Sequence, residues 1–461
     1  MLCGSVARLR FATCSTRYDQ GALNRLDSPF FVAWLFRASA WSLVAWLLGW
    51  RGVLVLAVLA LVTQAAARAV HRRRAHASQS AAIVGGVVAV HVAVFLSVLR
   101  PELWPVAMPA GIGVFLCHAV SYLVDVRRGL VDPRRHLAAV LYLLQLPVFP
   151  SGPLSRFHDF EHQLARTDVS MAGFSYGVRR ISQGLTKVYL VAGPLGTVAG
   201  RIFALPVTKL STDSAWLGAV CVGLEVYFYL SGFSDVGIGL GKMVGLRYQE
   251  NFRRPYTADS IREFWRRWNV TLITWLRDYV SLPIAGHERG SRRLYALTIC
   301  GFVLVGLWTE ASWNVLPWAV YCASWLAIEA AGLGARLTRV PRVLRHVYVL
   351  LVVLLGWVLL RASGPGPLLG YLEAMVGASV APFGASADYF TLGFSTALVS
   401  ALIFAGPLVG NLSRWRVSVD SAVASLLMMF AATGILLWHA VNGVRRLYEL
   451  AAGTTASRPR Q

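Results

Sequence analysis

The sequence predicts an all-α polytopic membrane protein. Of its 461 residues, 56% are hydrophobic and only 14% are charged, and the mean hydropathy is +0.56. Apolar stretches recur from Phe31 to Val441 with short polar breaks, and many approach the length of about 20 residues that crosses a bilayer as a helix. We expect about ten to twelve transmembrane or re-entrant helices by this length rule, and the composition excludes a water-soluble class.

One membrane domain is predicted between two polar tails. Residues 1–27 are rich in Arg, Ser and Thr and lack the apolar core of a secretory signal peptide. Residues 446–461 end in the polar run TTASRPRQ. The membrane domain therefore covers 28–445, with spans predicted near 31–50, 52–70, 80–99, 103–123, 136–150, 178–198, 215–230, 294–312, 315–333, 344–361, 389–409 and 417–441.

The chain is strongly basic, with 44 Lys and Arg against 22 Asp and Glu. Its basic clusters at 68–74 and 127–135 lie in short breaks between apolar segments, where the positive-inside rule expects cytoplasmic loops. The charge therefore indicates membrane topology first and a surface for anionic lipid headgroups second. We expect a multi-pass protein of the cell (inner, cytoplasmic) membrane that contacts the lipid bilayer, with no nucleic-acid partner.

The sequence gives no sign of a bound metal or cofactor. Its six cysteines have no CxxC spacing, and four of them lie inside apolar segments, so neither a disulfide framework nor a zinc site is expected. Neither a P-loop nor a dinucleotide fingerprint is present. We therefore predict no bound cofactor and no metal site.

The segment SIREFWRRWNVTLITWLRDYVSLPIAG, residues 260–286, is rich in both Trp and Arg. At the helical period of about 100° per residue, its apolar residues form one stripe: Ile261, Phe264, Trp265, Trp268, Leu272, Trp275 and Leu276. Asn269 lies at the border of this stripe, on the side of Arg262 and Arg266. The pattern predicts an amphipathic helix that either lies in the membrane interface or lines a polar cavity inside the protein.

Two carboxylates interrupt apolar runs. Glu310 lies in GFVLVGLWTEASWNVLPW, residues 301–318, and Asp235 lies in SGFSDVGIG, residues 231–239. An ionised side chain at membrane depth costs about 2.5–3.5 kcal/mol on insertion scales. Each carboxylate is therefore either a functional group or the partner of a buried cation. The glycines that surround Asp235, including Gly232 and Gly239, predict close helix packing.

Five blocks of sequence follow one another in order: GIGVFLCHAVSYLVDVRRG at 111–129, FPSGPLSRFHDF at 149–160, YFYLSGFSDVGIGLGKMVGLRYQENFRRPY at 227–256 with the segment 260–286 after it, GLWTEASW at 306–313 and GWVLLRA at 356–362. Together they resemble the membrane-bound O-acyltransferase (MBOAT) family, and most of all its bacterial branch for alginate O-acetylation and teichoic-acid D-alanyl transfer. The resemblance extends from about Ala110 to Ala362.

The resemblance implies a membrane enzyme built around a central tunnel. Such an enzyme takes an acyl group from a thioester, either an acyl-coenzyme A or an acylated carrier protein, on the cytoplasmic side. It transfers that group to a hydroxyl of a polysaccharide, lipid, protein or secreted acceptor. The implied partners are therefore the thioester donor and an envelope or extracytoplasmic acyltransferase.

The resemblance also assigns candidate site residues. Where the family has its base, a histidine, this sequence has Thr309, and Glu310 replaces the glycine that follows. Asn269 occupies the position of the residue that assists the base, and Arg266, Trp265, Trp268, Asp235 and Trp308 are expected along the tunnel. Threonine is too weak a base to act alone. Glu310 is therefore either a substitute base with a pKa raised by its surroundings or an ion-pair partner of an arginine such as Arg266.

Three histidines are further candidates for the missing base. His118 and His439 lie inside apolar segments, and His287 lies in a polar loop beside Glu288 and Arg289. A second function also stays open, because a relative without the base could be a catalytically silent scaffold or acyl-delivery conduit for a partner enzyme. A channel or transporter without acyl chemistry is the third alternative.

Overall fold

A computed structural model describes residues 54–98, 112–145, 148, 152–165, 169–281, 292–309, 314–378, 381–382 and 385–405. These parts of the chain are helical and contain no β-strand. Five of their helices are long and apolar enough to cross a membrane: Leu54–Arg72, Ala77–Phe95, Thr212–Met243, Val315–Leu337 and Arg342–Arg361. The predicted all-α polytopic membrane class is confirmed. Both tails and the predicted spans 31–50 and 417–441 lie outside the described residues.

The first five described helices share one hydrophobic cluster. They are α1 (Leu54–Arg72), α2 (Ala77–Val98), α3 (Ile112–Arg128), α4 (His136–Leu143) and α5 (Phe157–Ala165). The predicted span 136–150 is wrong in its second half, because α4 ends at Leu143. Pro147 and Pro150 follow at once, and proline both lacks the N–H donor of a helix and disfavours helical geometry in the residue before it.

Most of the remaining helices contribute to a second, larger cluster. The first of the remaining helices are α6 (Met171–Leu185), which continues through a π segment (Thr186–Ala192) into α7 (Gly193–Phe203), and α8 (Thr212–Met243). They are followed by α9 (Ile261–Arg267), α10 (Val270–Leu276) with a π segment (Arg277–Ser281), α11 (Arg292–Thr309), α12 (Val315–Ile328) with a π segment (Glu329–Leu333), α13 (Gly334–Leu337), α14 (Arg342–Arg361), α15 (Pro365–Met375) and α16 (Leu392–Ala405). Helices α6 and α13 lie outside the cluster. Short 3-10 turns cover Val207–Lys209, Pro255–Thr257 and Ala385–Tyr389.

Glycines bring the backbones of α6 and α8 into contact. A Cβ atom added to Gly184 would lie 2.5 Å from the carbonyl oxygen of Gly232, and one added to Gly239 would lie 2.7 Å from that of Gly177. These distances leave no room for a larger side chain. The predicted packing role of Gly232 and Gly239 is therefore confirmed.

Several basic segments meet at one end of the molecule, which we call the basic end. Arg74, between α1 and α2, donates to the carbonyl of Arg128 at the end of α3. Arg135 pairs with Glu161 of α5 at 2.7 Å. The N–H of Arg247, just after α8, donates to Gln163 of α5. The loops between the early helices and the end of α8 therefore lie together, as the positive-inside rule predicts for one side of a membrane.

The opposite end lies at the start of α8. There Tyr371 of α15 donates to the carbonyl of Ala215, and the indole N–H of Trp216 donates to the carbonyl of Met375. Because α8 continues from Ala215 to Met243 and a helix rises 1.5 Å per residue, about 42 Å of helix separate these contacts from the basic end.

Candidate active site

The Trp- and Arg-rich segment belongs to the second hydrophobic cluster and contacts α3 of the first. Its Trp275 donates the indole N–H to the carbonyl of Cys117 in α3 at 3.1 Å, and the hydroxyl of Tyr279 donates to Asp125 of α3 at 2.8 Å. Thr271 accepts the N–H of Leu154, just before α5, at 3.0 Å. Hydrogen bonds therefore join the segment to α3 and to the residues just before α5.

The prediction of one continuous amphipathic helix is wrong at Asn269. Helix α9 ends at Arg267 and α10 begins at Val270, because Trp268 is extended and Asn269 has left-handed backbone angles, φ 42° and ψ 54°. Asparagine adopts this conformation more readily than most residues. The N–H of Val270 donates to the carbonyl of Asn251 at 2.8 Å, so a neighbouring segment replaces a helical hydrogen-bond partner at the break.

The predicted apolar stripe is buried despite the break. All seven of its residues are at most 7% exposed. Trp265 and Trp268 join an aromatic cluster with Phe264, Phe302, Trp318 and Trp357, in which ring centroids are 4.7 to 6.4 Å apart. The cavity beside this cluster has a volume of only about 20 Å³. Trp265 and Trp268 therefore pack within the buried aromatic cluster, and the cavity beside them is nearly filled.

The start of α9 is held by a buried carboxylate that the sequence reading missed. Glu329, which opens the π segment after α12, accepts the N–H groups of Ile261 at 2.6 Å and Arg262 at 3.0 Å. Ser260 accepts the N–H of Glu263 with its side chain and that of Phe264 with its carbonyl. All four N–H groups of the first turn thus have partners. Glu329 could have been found by the rule that singled out Glu310, because it too interrupts an apolar run.

Asn269 and Arg266 differ in exposure. The side chain of Asn269 is 6% exposed, and its carboxamide makes no hydrogen bond to the part of the chain that the structure describes. Arg266 is exposed and forms no ion pair within the same part. The neighbouring Arg267 is instead engaged, with Glu263 and with Thr257. Asn269 is therefore a buried polar group beside the aromatic cluster, whereas Arg266 is available at the surface.

Asp235 is fully engaged in a charged network between α6 and α8. Its two carboxylate oxygens pair with Arg180 at 2.7 Å and Lys187 at 2.5 Å, and Arg180 also pairs with Glu250 at 2.5 Å. The network contains two cations and two anions, so its charges balance. This geometry agrees with the structural role considered for Asp235, in which a membrane-embedded carboxylate is tolerated through paired cations.

The position of the missing base lies at the end of α11. That helix ends at Thr309, one turn after Gly306, at which an added Cβ would meet Val315 at 2.7 Å and Trp318 at 3.2 Å. The side chains of Trp308 and Thr309 and the whole of Glu310 lie outside the described structure, so their predicted roles stay predictions.

Of the three candidate histidines, only His118 lies among the described residues. His118 of α3 is fully buried, and its ring packs against that of Tyr142 with centroids 4.5 Å apart. Neither of its ring nitrogens has a hydrogen-bond partner in the described structure, so its role as a base stays a prediction. His287 and His439 lie outside the described residues.

Two polar clefts, which the sequence reading did not identify, open beside the broken segment. The first has a volume of about 410 Å³ and is lined by residues that include Ser155, His162, Arg247, Tyr248 and Thr271. The second has a volume of about 470 Å³ and is lined by residues that include Asp125, Arg128, Asp278 and Tyr279. They share Arg156, His158 and Asp159. The FPSGPLSRFHDF block contains all three shared residues.

A hydrogen-bond network lines the first cleft. Gln145 accepts hydrogen bonds from the hydroxyls of Ser155 and Tyr248, each at 3.0 Å, and Tyr142 donates to the carbonyl of Ser155 at 2.9 Å. Arg156, which the two clefts share, pairs with Asp278. The clefts therefore combine cationic groups at the basic end with buried hydrogen-bonding groups that lead toward Thr271 and the break.

These features define a polytopic helical membrane protein with polar clefts beside a broken, tryptophan-rich segment. The family model described as "MBOAT, membrane-bound O-acyltransferase family" matches residues 117–353, about half of the chain. The chain belongs to the membrane-bound O-acyltransferase family.

Named relatives fall into three groups. A protein of Azotobacter vinelandii described as "Probable alginate O-acetylase AlgI" is 38% identical over 261 residues, which are 56% of this chain and 52% of that protein. The peptidoglycan O-acetyltransferase of Helicobacter pylori is 25% identical over 59% of this chain and 57% of its own. The teichoic acid D-alanyltransferase of Bacillus subtilis is 25% identical over 46% of this chain and 56% of its own. The match thus spans about half the length of these relatives.

Proposed function

We propose that this protein is an O-acyltransferase of the cell membrane that transfers an acetyl or other acyl group from a thioester to a hydroxyl of a cell-envelope polysaccharide or another secreted acceptor. The observation that carries the proposal is the family match over 117–353, which includes the broken segment and the run up to Thr309. The relatives' names support a polymer as acceptor, because each refers to alginate, peptidoglycan or teichoic acid.

The reaction needs a base near the acceptor hydroxyl and a group that stabilises the developing oxyanion. Thr309 stands at the family's base position and is too weak a base alone. We assign the proton transfer to Glu310, the next residue, and an assisting hydrogen bond to Asn269. The burial of Asn269, 6% exposed, supports this role, because a hydrogen bond to a substrate is stronger where little water competes for it.

The polar clefts are the proposed entrance for the thioester donor. Arg156, Arg247 and His158 line them near the basic end, which the positive-inside rule places in the cytoplasm. Arginine binds phosphate groups well because its planar guanidinium donates two parallel hydrogen bonds. The phosphates of coenzyme A or of a carrier protein's phosphopantetheine arm fit this chemistry, and the arm would extend toward the break at Asn269.

The acceptor would approach from the opposite end of the molecule, where an envelope or extracytoplasmic acyltransferase could receive the acyl group. The alternative function is a catalytically silent relative that acts as a scaffold or acyl-delivery conduit for such a partner. The replacement of the family's histidine by Thr309 is the observation that favours this alternative.

Thioester consumption by the purified protein in detergent tests the proposed function. We expect release of free thiol from acetyl-coenzyme A or an acetylated carrier protein, together with ester formation on an alginate, peptidoglycan or teichoic-acid acceptor detected by mass spectrometry. Protein inactivated by heat is the control. Thiol release in neither donor arm, with a folded protein, would contradict the proposal and favour the scaffold.

A further inference from the structure

Asn251 supports the break between α9 and α10 from the segment that follows α8. Its side chain is 1% exposed. Its Oδ1 accepts the N–H of Thr271 at 3.1 Å and the hydroxyl of Thr271 at 2.8 Å, in addition to the backbone bond with Val270. Asn251 therefore satisfies N–H groups at the start of α10 that have no partner inside that helix.

These contacts fix the orientation of the Asn251 carboxamide. A backbone N–H can only donate, so the side-chain atom that faces the N–H of Thr271 must be the oxygen. The Nδ2 group is then directed elsewhere, and it is buried without a hydrogen-bond partner in the described structure. A buried amide without a partner lowers stability. An oxygen atom of a ligand placed there would therefore be bound favourably.

The surroundings of Asn251 indicate which ligand this is. The two residues that it contacts directly follow Asn269, which is also buried and whose carboxamide makes no hydrogen bond to described residues. Thr271 belongs to the lining of the first polar cleft. An unpaired amide donor thus lies near Asn269, to which the resemblance assigns the assisting role, and beside Thr271, which lines the proposed entrance of the thioester.

We propose that the Nδ2–H of Asn251 donates a hydrogen bond to the carbonyl oxygen of the donor's acyl group and stabilises the negative charge that develops there. This inference rests on the proposed acyltransferase function. In that reaction the acceptor oxygen attacks the carbonyl carbon while the base takes its proton, and the electron pair of the C=O bond moves to the carbonyl oxygen. The C–O double bond then re-forms, the C–S bond breaks, and the thiolate leaves and takes up the proton. Asn251 transfers no proton.

Asn251→Asp separates this role from the structural one. Aspartate keeps an oxygen for the N–H and hydroxyl of Thr271 but lacks the N–H donor at about pH 8, above the ordinary pKa of a carboxyl group. We expect kcat to fall about 100-fold or more, the usual effect of removing one donor to an oxyanion. Tyr348→Phe is the matched control, because it removes one hydrogen bond that supports the start of α9 through Glu329, outside both clefts, and leaves the Asn251 donor. It should keep kcat within about threefold of the wild type, since a single long hydrogen bond contributes little net free energy.

Binding of two inert analogues provides a readout independent of turnover. In acetonyl-dethio-coenzyme A a methylene replaces the thioester sulfur and the carbonyl oxygen is kept, whereas S-ethyl-coenzyme A lacks that oxygen. We expect the wild type to bind the ketone about tenfold more tightly, as one hydrogen bond allows, and Asn251→Asp to lose this preference.

The outcomes distinguish the two proposals. If the wild type turns over thioester and Asn251→Asp retains its kcat and its preference for the ketone, the role of Asn251 is purely structural and this inference is wrong. If the wild type neither turns over thioester nor binds either analogue, the acyltransferase function fails and this inference with it. Loss of both kcat and preference, with an unchanged melting temperature, supports the inference.

Discussion

Glu329 has the chemical surroundings that a carboxylate needs at membrane depth. It is 5% exposed, and its two oxygens accept the N–H groups of Ile261 and Arg262, with the hydroxyl of Tyr348 as a third donor at 3.3 Å. No cation is required, because aligned N–H groups at a helix start carry partial positive charge. The carboxylate therefore joins the end of α12 to the start of α9.

Glu329→Gln is expected to lower stability. Its amide group would face an N–H donor, leaving one buried donor unpaired, at a cost of about 1–3 kcal/mol. The melting temperature of the purified protein in detergent measures this effect.

Tyr348→Phe is the control for that measurement, because it removes only the longest of the three bonds and should cost about 1 kcal/mol or less. Equal melting temperatures for Glu329→Gln and the wild type would mean that this carboxylate does not hold α9.

At the scale of elements, Asn269 has two roles, one of its backbone and one of its side chain. The backbone there is left-handed, a conformation that glycine adopts freely and alanine does not. Its side chain is proposed to assist the reaction. Substitutions at this position can therefore distinguish backbone shape from side-chain chemistry.

Asn269→Gly should keep the fold and lose activity, whereas Asn269→Ala should lose both activity and about 1 kcal/mol of stability through backbone strain. Thermal melting in detergent and thioester turnover measure the two effects in the same preparations. If Asn269→Gly turned over thioester at the wild-type rate, the side chain would have no part in the reaction.

The sequence could predict the apolar stripe of this segment but not its break. Helical periodicity assigns Trp265, Trp268 and Trp275 to the buried side, and they are buried. The break depends on Asn251, which is 18 residues earlier in the chain and whose contacts with Val270 and Thr271 are tertiary. A window of local sequence contains no information about such a partner. For the same reason, the clefts that Arg156 lines could not be foreseen.

At the scale of the whole molecule, charge defines a direction across the membrane. The loops that contain Arg74 and Arg135 lie at the basic end, and α15 packs at the opposite end. The sequence predicted this asymmetry because the positive-inside rule acts on loop composition alone. The number of spans could not be settled in the same way, since adjacent apolar runs leave their limits open.

Labelling with a membrane-impermeant maleimide tests the orientation. In a variant without its native cysteines, Arg134→Cys, whose side chain is 81% exposed, should react in inside-out vesicles only. Val376→Cys, 82% exposed after α15, should react in spheroplasts only. The reverse pattern would place the basic end outside and contradict the proposed cytoplasmic entry of the donor.

We propose above all that Glu310 has taken over the proton transfer of the family's histidine. Turnover of acetyl-coenzyme A or an acetylated carrier protein should fall about 100-fold or more in Glu310→Gln, in the range of a lost general base. The double change Thr309→His with Glu310→Gly, which restores the family's Leu-Trp-His-Gly run, should recover turnover. Wild-type turnover in Glu310→Gln would contradict the claim directly.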